Sequence, residues 1–433
     1  MQAYTEYKDS GVDWLGEVPA GWELTKLGSC LSPFSEKNHA ELPLLSITRE
    51  LGVIERDIEN QDTNHNYIPD DLSGYKLLKK GQFGMNKMKA WQGSYGVSPF
   101  TGIVSPAYFM FDFTREIDPA FFHVVIRSKL YVSFFGSASD GVRIGQWDLS
   151  KPRMKEIPLA LPPLPEQTAI ADFLDDKITK VEALVGIKRR QIELLAERKQ
   201  ILIQNAVTKG LNPDAPMKDS GVDWIGEIPA HWEATKLRYL GTFQNGISAG
   251  AEYFGSGYPF VTYGDVYNNS VLPSKPSGLA KSSSADRVNY SVQEGDILFT
   301  RTSEVANDIG NSSTCLQTIE NASFSGFVIR MRPVAKLLNP AYSSFLFRCA
   351  YISDFFAHKM NIVIRASLGQ EPLKNLPIFL PSINEQEEIV AYCKSESERM
   401  NAAITIKQNQ IIKLNEYKTT LINAAVTGKI KVA

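Results

Sequence analysis

Cysteine is scarce in this chain of 433 residues: Cys30, Cys315, Cys349 and Cys393 lie far apart, with no C-x-x-C pair. That spacing argues against a zinc site and against a disulfide framework, and it leaves buried thiols in a reducing compartment as the expectation. No run of about 18 apolar residues occurs, and the opening MQAYTEYKDSG has no apolar stretch behind a basic start. Neither a membrane span nor a secretory leader is therefore read, and a cytoplasmic location is expected. Five scattered histidines support no catalytic triad, and no G-x-x-x-x-G-K-[ST] loop is present for an ATP-driven motor. An adenine methyltransferase would need an Asn-Pro-Pro-aromatic motif. The nearest match, Asn339-Pro340-Ala341-Tyr342, lacks the second proline and reads as the start of a helix. A formal net charge of −2 argues against a globally basic protein that coats nucleic acid, while permitting a local basic face.

What the chain does have is self-similarity. KDSGVDWLGEVPAGWELTKL at 8–27 returns as KDSGVDWIGEIPAHWEATKL at 218–237, identical at 16 of 20 positions. Blocks 157–211 and 376–430 align without a gap, matching Pro158 with Pro377, Pro162 with Pro381, Glu166-Gln167 with Glu385-Gln386, and AVT at 206–208 with AVT at 425–427. The stretches between, 28–156 and 238–375, scarcely resemble each other. The plan is a constant block, a variable domain and a constant helix, stated twice.

Each constant C-terminal block reads as a long helix. Pro165 suits a first turn, and Ser382 with Glu385 has capping-box spacing, Asn384 being a rival N-cap. Positions 174, 178, 181, 185, 188, 192, 195, 199, 202 and 206 form a heptad seam that is apolar except at Lys188 and Lys199, whose counterparts 407 and 418 are also lysines. Such lysines either cover apolar surface with their stems or fix the register between two packed helices. In the variable domains, 102–113, 295–302 and 324–332 read as strands, and 119–136 and 340–359 as helices. Trp14, Trp22, Trp224 and Trp232 lie in the constant blocks and are expected to anchor packing.

The KDSG-x-x-W-x-G-x-x-P-x-x-W opening, the P-x-x-x-P-x-x-EQ approach to a long helix, and the doubling of both resemble the specificity subunits of Type I restriction-modification systems. The resemblance covers essentially the whole chain. It implies tandem α/β (α+β) target recognition domains separated by two long antiparallel coiled-coil helices, with a pseudo-twofold internal repeat. The expected divisions are 1–157 (recognition domain 1), 158–217 (helical spacer 1 and linker), 218–376 (recognition domain 2) and 377–433 (helical spacer 2). It further implies a non-catalytic subunit that reads a bipartite site in double-stranded DNA. Two methyltransferase (M) subunits would dock on the conserved regions, and motor-nuclease restriction (R) subunits would join them. No cofactor is expected on this chain, and S-adenosylmethionine, ATP and Mg are expected on the partners. The rival readings are a stand-alone DNA methyltransferase or nuclease, and a coiled-coil scaffold that binds only protein.

A DNA reader needs cations for phosphates and side chains that complement base edges. Residues 36–71 hold nine acids and three bases, whereas 75–155 hold twelve bases and five acids, so the second stretch is the candidate DNA face. Within it Lys79, Lys80, Lys87 and Lys89 accompany Asn86, Trp91, Gln92, Ser94 and Tyr95, and downstream Arg143, Gln146 and Trp147 precede the helix. Segments 295–310 and 361–372 correspond in the second domain, offering Arg301, Thr302, Ser303, Asn307, Arg365 and Gln370. Against each stands the alternative of an ordinary solvated loop or a packed aromatic.

Overall fold

Each 20-residue repeat folds into the same clasp. Tyr7–Asp9 pairs with Glu17–Pro19, and Met217–Asp219 pairs with Glu227–Pro229. The second tryptophan of each copy, Trp22 or Trp232, is 1% exposed, and its carbonyl accepts from the repeat's lysine, Lys8 or Lys218. The computed structural model describes residues 2–57, 68–69, 71–141, 147–222, 225–303, 310–334, 336–359 and 366–432. Two compact units result: residues 1–189 with 408–433, and residues 190–407.

In the first unit, β1 (Glu23–Lys26) leads through a short helical turn into β2 (Leu31–Phe34), followed by β3 (Phe83–Asn86), β4 (Tyr95–Val97) and β5 (Tyr108–Phe113). The central sheet is antiparallel in the order β2-β5-β3-β4. Next come α1 (Pro119–Arg127), α2 (Lys129–Ser137), α3 (Lys151–Lys155), β6 (Pro158–Leu161) and the 46-residue α4 (Leu164–Lys209).

The second unit repeats this with β7 (Glu233–Lys236), β8 (Gly241–Asn245), β9 (Ile297–Thr300), β10 (Ser312–Thr314) and β11 (Val328–Pro333), ordered β8-β11-β9-β10. Then follow α5 (Pro340–Leu346), α6 (Ala350–Lys359), α7 (Gln370–Lys374), β12 (Pro377–Leu380) and the 44-residue α8 (Ile383–Val426). Sequences that hardly align therefore share one topology.

Both units close in the same way. β6 pairs with β1, Pro158 opposite Lys26, and β12 pairs with β7, Pro377 opposite Lys236. Each variable segment thus leaves and returns through a single strand pair. The paired Glu-Gln of each long helix locks this closure. Glu166 and Glu385 accept the indole N–H of Trp22 at 3.1 Å and of Trp232 at 3.0 Å. Ser382 caps α8 by accepting from Glu385 N, so the capping box is half made, because the glutamate carboxylate is drawn to the indole instead. Gln167 and Gln386, 3% and 0% exposed, accept from the backbone N–H of Asp118 and Asn339 and donate to the carbonyls of Pro162 and Pro381. Asp118 and Asn339 are the N-caps of α1 and α5, each followed by proline in the first turn.

The stretches read as single helices over 119–136 and 340–359 are each two helices. In the first, Ser128 is extended (φ −61°, ψ 149°) and its hydroxyl recaps the chain at Tyr131. Stretches 102–113 and 324–332 are likewise divided by a turn, Gly102–Val104 before β5 and Ser323–Phe324 before β11. On the long helices Val181 and Val185 are buried, and in each unit a seam lysine reaches the other helix: Lys418 to Glu182 at 3.1 Å and Lys199 to Asn401 at 3.0 Å. As one partner's number rises the other's falls, which is an antiparallel pairing, and polar groups bridge it as a register device would.

The ends of α1 and α5 carry matching half-buried arginines. The Arg127 guanidinium donates to the carbonyls of Gly93, Tyr95, Arg49 and Glu50, and that of Arg348 to those of Ser312, Val266, Tyr267 and Asn269. One turn before Arg127, His123 Nδ1 accepts from Val97 N at 3.2 Å, and burial together with Arg127 pushes its pKa down from 6.5 to about 4. Between these values the unfolded chain takes up a proton that the fold refuses. Stability is therefore full above about pH 6.5 and falls as pH drops towards 4, by about 3 kcal/mol at most from this group. Thermal unfolding of His123→Gln should show a correspondingly flatter pH dependence from 6.5 to 4.5 than the parent chain, and parallel curves would contradict this account.

Candidate nucleic-acid interface

One end of each central sheet gathers part of the segments that the sequence offered for DNA contact, 87–94 with 147–150 in the first unit and 301–303 with 366–370 in the second. After β3 the chain turns through Lys87–Ser94, and the carbonyl of Lys87 accepts from Leu149 N at 3.2 Å. After β9 the carbonyl of Arg301 accepts from Leu368 N at 2.7 Å. Lys87 and Arg301 are thus topological counterparts, and in each unit the loop after the third sheet strand lies beside the segment that precedes the short helix α3 or α7. A third loop joins them at the tip before β5 or β11. Tyr108 N bonds Ser105 O at 3.0 Å, and Val328 N bonds Ser325 O at 2.9 Å.

In the first unit the junction is made by Lys87–Asp148, an ion pair at 3.0 Å, and by the Trp91 and Trp147 rings, 5.1 Å apart at 51°. The Trp91 indole N–H is buried with no partner among the described residues. Lys89 is exposed and Gln92 half-exposed, and neither side chain has a partner among the described residues. Lys89 and Gln92 are the candidates best placed to meet a duplex.

Four candidates are not placed as the sequence suggested. Ser94 is 2% exposed and Tyr95 0%, its ring packed between Phe83 and Phe135, so both belong to the core. Burial drives the Tyr95 hydroxyl well above its usual pKa. Lys79 and Lys80 sit at the opposite end of β3 from Lys87, because the strand between them runs through the core. They occupy a turn in which Gly81 has φ +87°, and Lys79 pairs with Glu36 at 3.2 Å while lying over the Phe34 ring. The charge that made 76–96 look like one patch is therefore divided between two edges.

In the second unit Arg301 is half-buried, its guanidinium 3.5 Å from Gly326 O. Thr302 pairs with Ser367, and its carbonyl accepts from the Tyr263 hydroxyl. Ser303 lies in the same two-residue strand, its side chain outside the described residues. Gln370 donates to Asn245 at 3.1 Å. Arg143, Gln146, Asn307 and Arg365 lie outside the described residues. Beside Arg301 stands a group that sequence reading missed, Phe327, 62% exposed on the tip that in the first unit carries Ala107. Its signal was faint, since the equivalence of 105–108 with 325–328 rests on backbone turns.

Among the described residues no cluster of three or more His, Cys, Asp or Glu could hold a metal ion, and no helix is long and apolar enough to cross a membrane. All four cysteines are buried and free, and burial pushes the thiols of Cys315 and Cys393 up to about 12. Trp14 packs on Tyr131 and Phe134. Trp224 lies outside the described residues.

Comparison with known proteins gives one consistent result. The family pattern described as the Type I restriction modification DNA specificity domain matches residues 129–194 and 229–415, more than half of the chain. The Type I restriction enzyme MjaVIII specificity subunit of Methanocaldococcus jannaschii is 24% identical, over 100% of this chain and 98% of its own length. The EcoKI specificity subunit of Escherichia coli is 23% identical over 76% of this chain and 68% of its own. Among solved structures, a chain from a type I R-M system described for its complex assembly and conformational transition superposes with a TM-score of 0.65, at 17% identity over 95% of this chain and 99% of that one. The HsdS subunit of Thermoanaerobacter tengcongensis gives 0.56, at 17% identity over 95% and 98%.

Proposed function

The chain belongs to the Type I restriction modification DNA specificity family, and from that premise we propose that each unit reads one half of a bipartite duplex site for a partner that does the chemistry. The observation that carries this is the loop junction made at the same place in both units, by Lys87 with Leu149 and by Arg301 with Leu368, and built from unlike side chains. A common scaffold with divergent edges is what two different half-sites require.

The long helices supply the complementary feature. Leu184, Ile187, Leu194 and Ile201 are 45–52% exposed along one stripe of α4, and Ile406, Ile412 and Tyr417 are exposed on α8. Ile187 and Ile406 are repeat counterparts, so both helices expose an isoleucine at the same position of the repeat, as docking of two copies of a methyltransferase subunit would use, with motor-nuclease subunits joining through them. S-adenosylmethionine, ATP and Mg belong to those partners, and the assembly works in the cytoplasm on adenines that the methyltransferase flips out.

The test is methylation. The purified chain with labelled S-adenosylmethionine and DNA should transfer no methyl group, whereas co-expression with its methyltransferase should yield adenine methylation confined to a single bipartite sequence in the host genome map. Transfer by the chain alone would favour a catalytic protein. Failure to bind duplex DNA in low salt would favour a protein scaffold.

A further inference from the structure

Three lysines converge at the first unit's loop end without an acidic partner. Lys76 and Lys37 face each other across an isolated antiparallel bridge, which sets their Cβ atoms about 5 Å apart on one face. The Lys76 ammonium donates to the carbonyl of Tyr108 at 2.8 Å. That of Lys151, at the start of α3, stands 3.8 Å from the ring centre of the next residue, Phe109. Tyr108 is itself the β5 partner of Asn86, the residue before Lys87. Other lysines nearby are neutralised, Lys79 by Glu36 and Lys87 by Asp148, but no carboxylate among the described residues pairs with Lys37, Lys76 or Lys151.

The Lys76 pKa is lowered mainly by burial and further by Lys151 and Lys37, and like charges placed opposite each other on a strand pair repel. An external anion would relieve that repulsion. We propose that Lys37, Lys76 and Lys151 form a seat for phosphates of the DNA backbone, holding the duplex against the Lys87–Gln92 and 147–151 loops. This rests on the DNA-reading function and adds to it the residues that position the duplex. Lys37 lies in the acidic stretch 36–71, outside the basic stretch 75–155.

Each phosphate contact contributes about 0.9 to the slope of log K against log salt. Anisotropy titrations of the full chain with a random-sequence duplex should therefore give a slope shallower by about 2 to 3 for Lys37→Met/Lys76→Met/Lys151→Met, with affinity at about 0.1 M salt falling at least tenfold. The matched control is Lys26→Met/Lys79→Met/Lys180→Met. It removes the same charge from lysines already paired with Glu156, Glu36 and Asp176, and its slope should stay within about half a unit of the parent. Should the first triple variant unfold, the exposed pair Lys37→Met/Lys151→Met carries the test, with a slope change of about 1 to 2. Equal changes in both triples, or none in either while the parent chain binds, would overturn the phosphate seat and leave DNA reading intact. A parent chain that binds no duplex would remove both.

Discussion

Replacing residues 27–157 with the corresponding segment of another specificity subunit should change one half of the methylated sequence completely and leave the other half untouched. The expectation comes from how the segment is held. It leaves β1 after Lys26 and returns to β6 at Pro158, directly opposite, while Leu27 N bonds Ile157 O at 2.8 Å. Cut at these points, the graft begins and ends on one strand pair, and the Trp22–Glu166 bond beneath the junction lies outside it. The contacts that a graft must remake include the Gln167 bond to the backbone of residue 118, whose geometry Gln386 repeats at residue 339, the Arg115–Glu23 and Lys26–Glu156 ion pairs, and the packing of Trp14 on α2.

The effect is large because each mismatched base pair costs a reader about 1–3 kcal/mol. A half-site of several pairs then discriminates by orders of magnitude. Genome-wide methylation mapping with the proposed methyltransferase partner supplies the readout. A map in which both halves change would refute the assignment of one reader to each unit.

Much of this architecture was legible because the chain states it twice. The Trp22–Glu166 and Trp232–Glu385 bonds join the two repeated motifs, so the blocks that looked constant are the parts that clasp each other. The heptad seam was equally plain, because an antiparallel pair leaves its period in the sequence. The likeness between the variable domains was hidden by compensation. Gln82 on the approach to β3 donates to Asp112 on β5, whereas in the second unit Asp296 accepts from Arg332, so the bond survives while donor and acceptor exchange places. The same turn precedes both, with Gly81 and Gly295 at φ +87° and +88°.

Arg127 and Arg348 could have been found by aligning D-P-A with N-P-A and counting forward. They were missed because a lone arginine in a variable stretch reads as surface charge, yet here its partners are carbonyls. Composition also misled at the candidate interface. Lys79, Lys80, Lys87 and Lys89 are neighbours in sequence, but a buried strand separates the first two from the last two. Ser94 and Tyr95 carry hydrogen-bonding groups, yet they follow a turn back into the sheet. Which lysines lack a counter-ion is a tertiary fact, invisible in a count of charges.

The substitution Ala425→Glu should abolish reading of the half-site assigned to the first unit, although it lies more than 250 residues beyond that unit's variable segment. Ala425 is 0% exposed, and with Leu421 and Val426 it packs in the same core as Leu15, Val18 and Trp22. The Tyr7 hydroxyl donates to Gly428 O, and Lys431 N bonds Gln2 O at 2.8 Å. In the second unit the counterpart is continuous chain, with Ala206 and Val207 packing against Ile228 and Trp232 just before the repeat begins. Each recognition domain is therefore closed by the end of a long helix, and the first borrows the end of α8. A buried carboxylate with no partner costs about 3–5 kcal/mol or more, a large part of one domain's stability. Ala206→Glu is the mirror test and should remove the other half-site. Calorimetry should show one unfolding transition weakened in each variant, with limited proteolysis cutting within 1–157 for Ala425→Glu and within 218–376 for Ala206→Glu. If both variants damaged the same unit, the exchange of helix ends between the repeats would be wrong. If each damages its own, the far end of the chain is part of the first reader's core, and cutting the sequence into consecutive domains would divide what the fold joins.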